Sequence, residues 1–148
     1  MTEKGDFSLA SGFTAGSALH PNQFQVNEAW IVFQLNEIPI HTEQDGSFNC
    51  ICLMDAASCF LLCAELVPSA EEEPSQAQAR HMFTSAWAKK GEFPQTLFMP
   101  RGRFPGTVRA EAERLGMAIS TSPEDQLLVF IGDARKGYRE NMQTQRDQ

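Results

Sequence analysis

Between Ser47 and Lys90 the apolar residues change their period, and that change constrains the fold more than any other stretch of the chain. Ser47-Phe-Asn-Cys-Ile-Cys-Leu-Met-Asp55 and Cys59-Phe-Leu-Leu-Cys-Ala-Glu-Leu-Val67 are apolar runs of strand length on either side of Ala56-Ala57, and they read as a β-hairpin. Pro68-Ser-Ala-Glu-Glu-Glu-Pro74 ends the second strand. From Gln76 to Lys90, Ala79, Met82, Phe83, Ala86 and Trp87 return at intervals of three and four, the repeat of a helix with one buried face. Ser75 stands at the cap position, Lys89 and Lys90 suit the negative end of the helix dipole, and Gly91 supplies the stop. A hairpin followed by a sheet-facing helix calls for an α/β layer architecture.

The flanking segments extend that pattern. Ala29–Leu35 is a strand candidate that Ile38-Pro39-Ile40 interrupts, and Gln44-Asp45-Gly46-Ser47 carries the Asp-Gly signal of a tight turn. Beyond the helix, Pro94 precedes a strand over Thr96–Met99. A short helix over Thr107–Leu115, with Val108, Ala112 and Leu115 on one face, stops at Gly116 before a strand over Met117–Thr121. Ser122-Pro-Glu-Asp125 has the serine, proline and acid of a helix start, which predicts a final helix with Leu127, Leu128, Ile131, Ala134 and Tyr138 as its stripe. A strand over Leu127–Ile131 is the competing reading. Residues 1–22 are expected to form an irregular arm, 23–142 a single α/β domain, and 143–148 a frayed tail.

At 148 residues, one such domain hides roughly two thirds of the surface its unfolded chain exposes. The start, Met1-Thr-Glu-Lys-Gly-Asp-Phe-Ser8, has neither the basic region nor the apolar core of a signal peptide, and no stretch is apolar enough to span a bilayer. A cytoplasmic protein with no membrane partner is the expectation. The net charge of −7 is uneven. Residues 1–73 hold 11 acids and one lysine, and residues 74–148 hold 11 bases and 8 acids. The acidic first half disfavours nucleic acid as a partner. With Ala56-Ala57 as the bend, Cys50 would lie opposite Cys63 and Cys52 opposite Leu61. Buried thiols acting as small hydrophobes, a zinc site and a disulfide all remain open for Cys50, Cys52, Cys59 and Cys63. Their facing, to a core or to an interface, is open too. His81, without a ligand at metal spacing, reads as a surface residue.

An antiparallel hairpin with an acid on its first strand, then helix, strand, helix, strand and helix, resembles the ribonuclease H-like fold, above all the integrase and transposase catalytic core. Cys52-Leu-Met-Asp55-Ala-Ala-Ser58, Gly91-Glu-Phe-Pro94, Thr96–Met99 and Arg114-Leu-Gly-Met-Ala-Ile119 carry the likeness, which covers Ser47 to Asn141. The chain also resembles small bacterial domains of unknown function built on that framework. The resemblance implies a three-layer arrangement around a mixed sheet. In active relatives clustered carboxylates hold two ions about 4 Å apart for phosphoryl transfer. Asp55 matches the first acid, Met99 or Pro100 stands at the second position, and Glu111 or Glu113 offers the third. Glu65, expected to reach solvent at the hairpin edge, is a further candidate as a replacement acid. Asp55 also reads as a plain turn carboxylate.

The glycine signatures of dinucleotide and phosphate loops, His-Glu-x-x-His and Gly-x-Ser-x-Gly are missing from the sequence. Arg101, Arg103 and Arg109 form a candidate anion or nucleic-acid contact beside a helix start. The leading expectation is a noncatalytic protein-interaction or accessory domain without cofactor. Its partner would be a protein or a second copy, met through a sheet edge or an apolar helix face. The alternatives are a metal-dependent nuclease or nucleotidyl-transfer relative using Mg or Mn at a rebuilt carboxylate site, and nucleic-acid binding without cleavage.

Overall fold

The computed structural model describes residues 19–146, so the expected arm over residues 1–22 lies outside the described residues as far as residue 18. Six strands form one sheet: β1 (Ala29–Gln34), β2 (Ile40–Thr42), β3 (Gly46–Asp55), β4 (Leu61–Pro68), β5 (Thr96–Pro100) and β6 (Ala118–Ser122). Three helices, α1 (Gln76–Lys90), α2 (Thr107–Arg114) and α3 (Glu124–Arg146), follow the hairpin in the predicted alternation with strands. The sheet order is β4–β3–β1–β5–β6, antiparallel from β4 to β1 and parallel from β1 to β6. It is the mixed sheet of a ribonuclease H-like three-layer arrangement.

β1 is the central strand, and five of its six residues, Ala29 to Phe33, are buried. Its even and odd positions feed two cores. Trp30 and Val32 join Ile51, Leu53 and Leu97 beneath α1 and α2, where Phe83, Met82, Val108 and Ala112 descend on them. Ile31 and Phe33 join Cys52 and Met54 on the opposite face, beneath Leu127, Phe130 and Ile131 of α3. A strand covered on both faces has no use for polar alternation, which explains the unbroken run Ala29-Trp-Ile-Val-Phe33.

The interruption at Ile38-Pro39 is a break in the ladder between Gln34, paired with Ile51, and Ile40, paired with Phe48. Phe48 pairs with Ile40 on one side and with Pro68 on the other, so β2 lies on the same edge of β3 as β1 and prolongs it. Between them Asn36, almost fully buried, takes over the ladder: its Oδ1 accepts from Cys50 N at 2.6 Å and its Nδ2 donates to Asn49 Oδ1 and Ile38 O.

The hairpin register differs from the one expected. Cys50 lies opposite Leu66 and Cys52 opposite Ala64, with Cys63 opposite Leu53 on the other face of the sheet. The cause is a longer turn. Both oxygens of Asp55 accept hydrogen bonds, Oδ2 from the Ser58 amide and hydroxyl, and the chain passes through Cys59 at φ 59 before Asp55 N donates to Phe60 O. All four thiols are free.

α1 starts and stops as the sequence indicates, with a Ser75–Gln78 capping box and Gly91 at φ 77. Two stripes need correction. Trp87 is 47% exposed, and on α3 Leu128 is turned outward while Phe130 and Arg135 are buried. The strand alternative for Leu127–Ile131 is excluded by α3. This helix runs to Arg146, into the stretch expected to fray, and residues 147–148 lie outside the described residues.

The outer edge of β4 is guarded. Cys50 turns its N–H and C=O toward the β1 side, so its partner Leu66 turns its own out of the sheet. Gln78 Nε2 donates to Leu66 O at 2.9 Å and Lys89 Nζ to Leu62 O at 2.6 Å, both from α1. Side chains bonded to edge carbonyls compete with strand addition from another molecule. The double substitution Gln78→Ala and Lys89→Ala is therefore expected to raise self-association in sedimentation velocity. The fold should lose no more than about 1 kcal/mol, because both bonds are at or near the surface.

Candidate functional site

In open α/β sheets, ligand sites form outside the carboxyl ends of the strands where chain order reverses. Here that point lies between β1 and β5: the chain leaves β1 for the antiparallel strands, then returns through α1 to β5 on the other side. The ends that meet there are Gln34 and Pro100.

This edge is closed by guanidinium groups. Arg135 of α3, 7% exposed, donates from Nε and Nη2 to Gln34 O at 3.0 and 2.8 Å and pairs with Glu124 Oε2 at 3.1 Å. Arg103 Nη2 reaches Gln34 Oε1 at 3.1 Å, and its guanidinium lies 4.7 Å from the centroid of Phe104. Phe104 is buried at φ 56, a left-handed conformation that bulky residues rarely adopt. Pro100 is buried and carries no side-chain donor atom. A cleft of about 370 Å³ opens beside these groups, lined by Asn49, Glu71, Glu72, Arg103 and Phe104 among others.

The candidate acids do not converge. Asp55 lies opposite Trp30, which pairs with Leu97, at the amino end of β1. Pro100 is three residues further along β5, about 10 Å at the rise of a strand, and two strands across, about 10 Å more. That separation exceeds the span of a shared ion pair. The carboxylate of Asp55 is fully buried and accepts from Asn27 N at 2.6 Å as well as from Ser58. Glu65 pairs with His81 of α1 at 2.9 Å. Glu111, 5% exposed, is held by Arg114 and Arg80, whereas Glu113 is exposed and pairs with Arg109 at 3.8 Å. Among the described residues no three His, Cys, Asp or Glu side chains gather so as to hold a metal ion. The described residues do not fit a two-ion centre.

The anion contact expected at the start of α2 is already occupied from within. Glu73 Oε2 accepts from Gly106 N at 2.9 Å, and its Oε1 accepts from the Thr107 hydroxyl at 2.9 Å and Val108 N at 3.3 Å. A Cβ on Gly106 would meet Glu73 Oε2 at 2.8 Å, so a larger residue there would push this carboxylate aside. Arg101 is exposed, Arg103 faces Gln34 and Arg109 faces Glu113, so the three arginines form no common cradle. Sequence reasoning missed Asn36, Glu73 and the full role of Arg135. Only Arg135 left a signal, as a cation four residues after Ile131 on a buried stripe.

Two ionisable groups bear on chemistry. Hydrogen bonding from Arg114 holds the Glu111 carboxyl below its usual range, against an opposing desolvation. Burial pushes the Cys63 thiol up to about 11, which leaves it protonated and unreactive near neutrality.

No family model and no curated protein matches the sequence. Solved structures do. A chain in the structure of the simian T-cell lymphotropic virus intasome in complex with PP2A regulatory subunit B56 gamma is similar at 14% identity and a TM-score of 0.50, over 75% of this chain and 37% of that one. The BIV integrase catalytic core (13%, TM-score 0.48, 74% of this chain and 65% of that one) is also similar. So is the HTLV-2 integrase catalytic core in complex with magnesium (13%, TM-score 0.46, 80% and 86%). The chain thus spans little more than a third of the intasome chain, with which it shares a ribonuclease H-like fold. This corrects the expectation that nucleic acid is an unlikely partner, which rested on the acidic first half: the fold is shared with a chain of an intasome. No helix among the described residues is long and apolar enough to cross a membrane.

Asp55→Ala would strip three donors of their buried acceptor and is expected to lower unfolding free energy by about 3 kcal/mol in urea titrations. Mn²⁺ should leave the midpoint of either protein unchanged. Because the folded carboxyl of Glu111 is lowered, its stabilisation is complete above the ordinary glutamate value and fades as pH falls through the lowered one. The stability gap between wild type and Glu111→Gln should therefore be widest near neutrality and shrink below about pH 4.

Proposed function

We propose that this chain is a noncatalytic accessory domain on a ribonuclease H-like scaffold, acting on nucleic-acid assemblies by binding and not by cleavage. One observation carries the reading: the carboxyl edge of β1 and β5 holds Pro100 and the buried, permanently charged guanidinium of Arg135. A divalent ion brought to that edge would have to compete with the Arg135 guanidinium for Glu124, the carboxylate paired with it at 3.1 Å. Asp55, Glu65, Glu111 and Glu113 are each engaged elsewhere by hydrogen bonds or ion pairs, which leaves them a structural part.

The binding half of the reading draws on the intasome likeness and on two cations at the same edge, exposed Arg101 and half-buried Arg103. Glu71 and Glu72 stand beside them across the cleft and limit how much phosphate the edge can accept. Contacts would be few and the salt dependence shallow. The free thiols suit a reducing, cytoplasmic setting.

Two assays test the proposal together. Incubation with single- and double-stranded DNA in Mg²⁺ or Mn²⁺ is expected to yield no cleavage or strand transfer. Fluorescence anisotropy at low salt should show binding whose logarithm falls with log salt at a slope of about −2, the release expected for two phosphate contacts. Arg101→Glu with Arg103→Glu should weaken it about tenfold or more. Metal-dependent cleavage would overturn the noncatalytic half, and absence of binding to DNA and RNA alike would overturn the other.

A further inference from the structure

The inner face of α3 is buried through Leu127, Phe130 and Ile131, yet its outer face carries two exposed aliphatic side chains, Leu128 and Val129. Asp125, Val129, Gly132 and Lys136 follow one another there at intervals of four, three and four. At 3.6 residues per turn these four fall within an arc of about 60°. The spacing is that of the seam along which two helices pack, and Leu128 flanks it. Gly132 has no explanation within the chain. A Cβ there would meet nothing within 4 Å, so no neighbour requires the gap, and glycine is the poorest residue after proline for a helix interior. On a seam, the same gap is a hole into which a side chain of a facing helix can descend.

The seam is complementary to itself. Laid antiparallel on a second copy, with the two-fold axis level with the Phe130–Ile131 peptide, α3 sets Val129 of each chain over Gly132 of the other. The same register sets Asp125 of each chain against Lys136 of the other. Asp125 and Lys136 are exposed and make no hydrogen bond or ion pair among the described residues. A parallel pair would instead face like charges with one another. We propose that the outer face of α3 is an isologous interface through which two copies of this chain pair antiparallel, Val129 seated on Gly132 and Asp125 matched to Lys136 at both ends. Asp125 and the flanking, exposed Asp133 disfavour phosphate on this face, which sets it apart from the edge of Arg101 and Arg103. A seam of four residues belongs to the small class of interfaces, so the dissociation constant should be on the order of 100 µM. The dimer goes beyond the binding reading above, and its test needs no nucleic acid.

The test is sedimentation of the reduced full chain from about 10 µM to about 1 mM, a range that spans the expected midpoint. Wild type should pass from monomer to dimer. Gly132→Gln closes the hole and should weaken association about tenfold or more. Its urea midpoint should hold or rise, because glutamine is the better helix former, so loss of the dimer cannot be put down to unfolding. Asp125→Lys and Lys136→Asp alone each set like charges together at both ends and should stay monomeric. An equimolar mixture of these two folded variants restores both ion pairs and should dimerise as wild type does. A wild-type chain monomeric up to the highest concentration would leave the face to another protein and overturn the proposal. So would undiminished association of Gly132→Gln, or a mixture that stays monomeric.

Discussion

The buried carboxylate of Asp55 holds the amino edge of the sheet in register. Its Oδ1 takes the amide of Asn27, at φ 64 just before β1, and its Oδ2 takes the amide and hydroxyl of Ser58 in the hairpin turn. Asn27 passes the constraint on, accepting from Trp30 Nε1 at 2.6 Å and donating to Glu92 O at 3.3 Å in the connection between α1 and β5. One side chain thus ties the start of the central strand, the hairpin and the crossover to the parallel half. Burying a charge is costly unless donors surround it, and three donors do so here.

The two ends of the parallel strands are chemically opposite. An anion is sequestered at the amino end, and cations occupy the carboxyl end, where Arg103 and Arg135 converge on Gln34. α/β scaffolds tend to place ligands at the carboxyl end. In this chain the guanidinium of Arg135 is met there by the carboxylate of Glu124, so the two satisfy one another within the fold. The other ready anion site, the start of α2, is filled by Glu73, so the chain satisfies internally what another protein on this scaffold could leave for a ligand.

Much of the architecture was legible because it rests on local signals. Ser75, Gly91 and the three–four repeat between them specify α1 without reference to anything distant, and Ser122-Pro-Glu-Asp125 places the start of α3. The hairpin register was not legible. It depends on which groups Asp55 bonds, and a turn lengthened by an odd number of residues moves Cys63 to the opposite face. The site was legible only in part. Asp55 stands out in the sequence as an acid at a strand end, but whether it meets ions or amides depends on the sheet order. Glu73 and Gly106 lie 33 residues apart, and nothing in either segment announces the other.

The mixed sheet also sets a timetable for the nascent chain. β1, β3 and β4 are close in sequence and can pair as soon as residue 68 is free. The partner for the other side of β1 is 67 residues downstream of its first pairing position, Ala29 with Thr96. Until then, the most apolar strand of the protein presents an open edge, and the helices that cover its two faces are incomplete. The guard that Gln78 and Lys89 provide protects the rim of the finished sheet. It offers nothing to this inner edge during synthesis, when a ribosome-bound chain is most exposed to its neighbours.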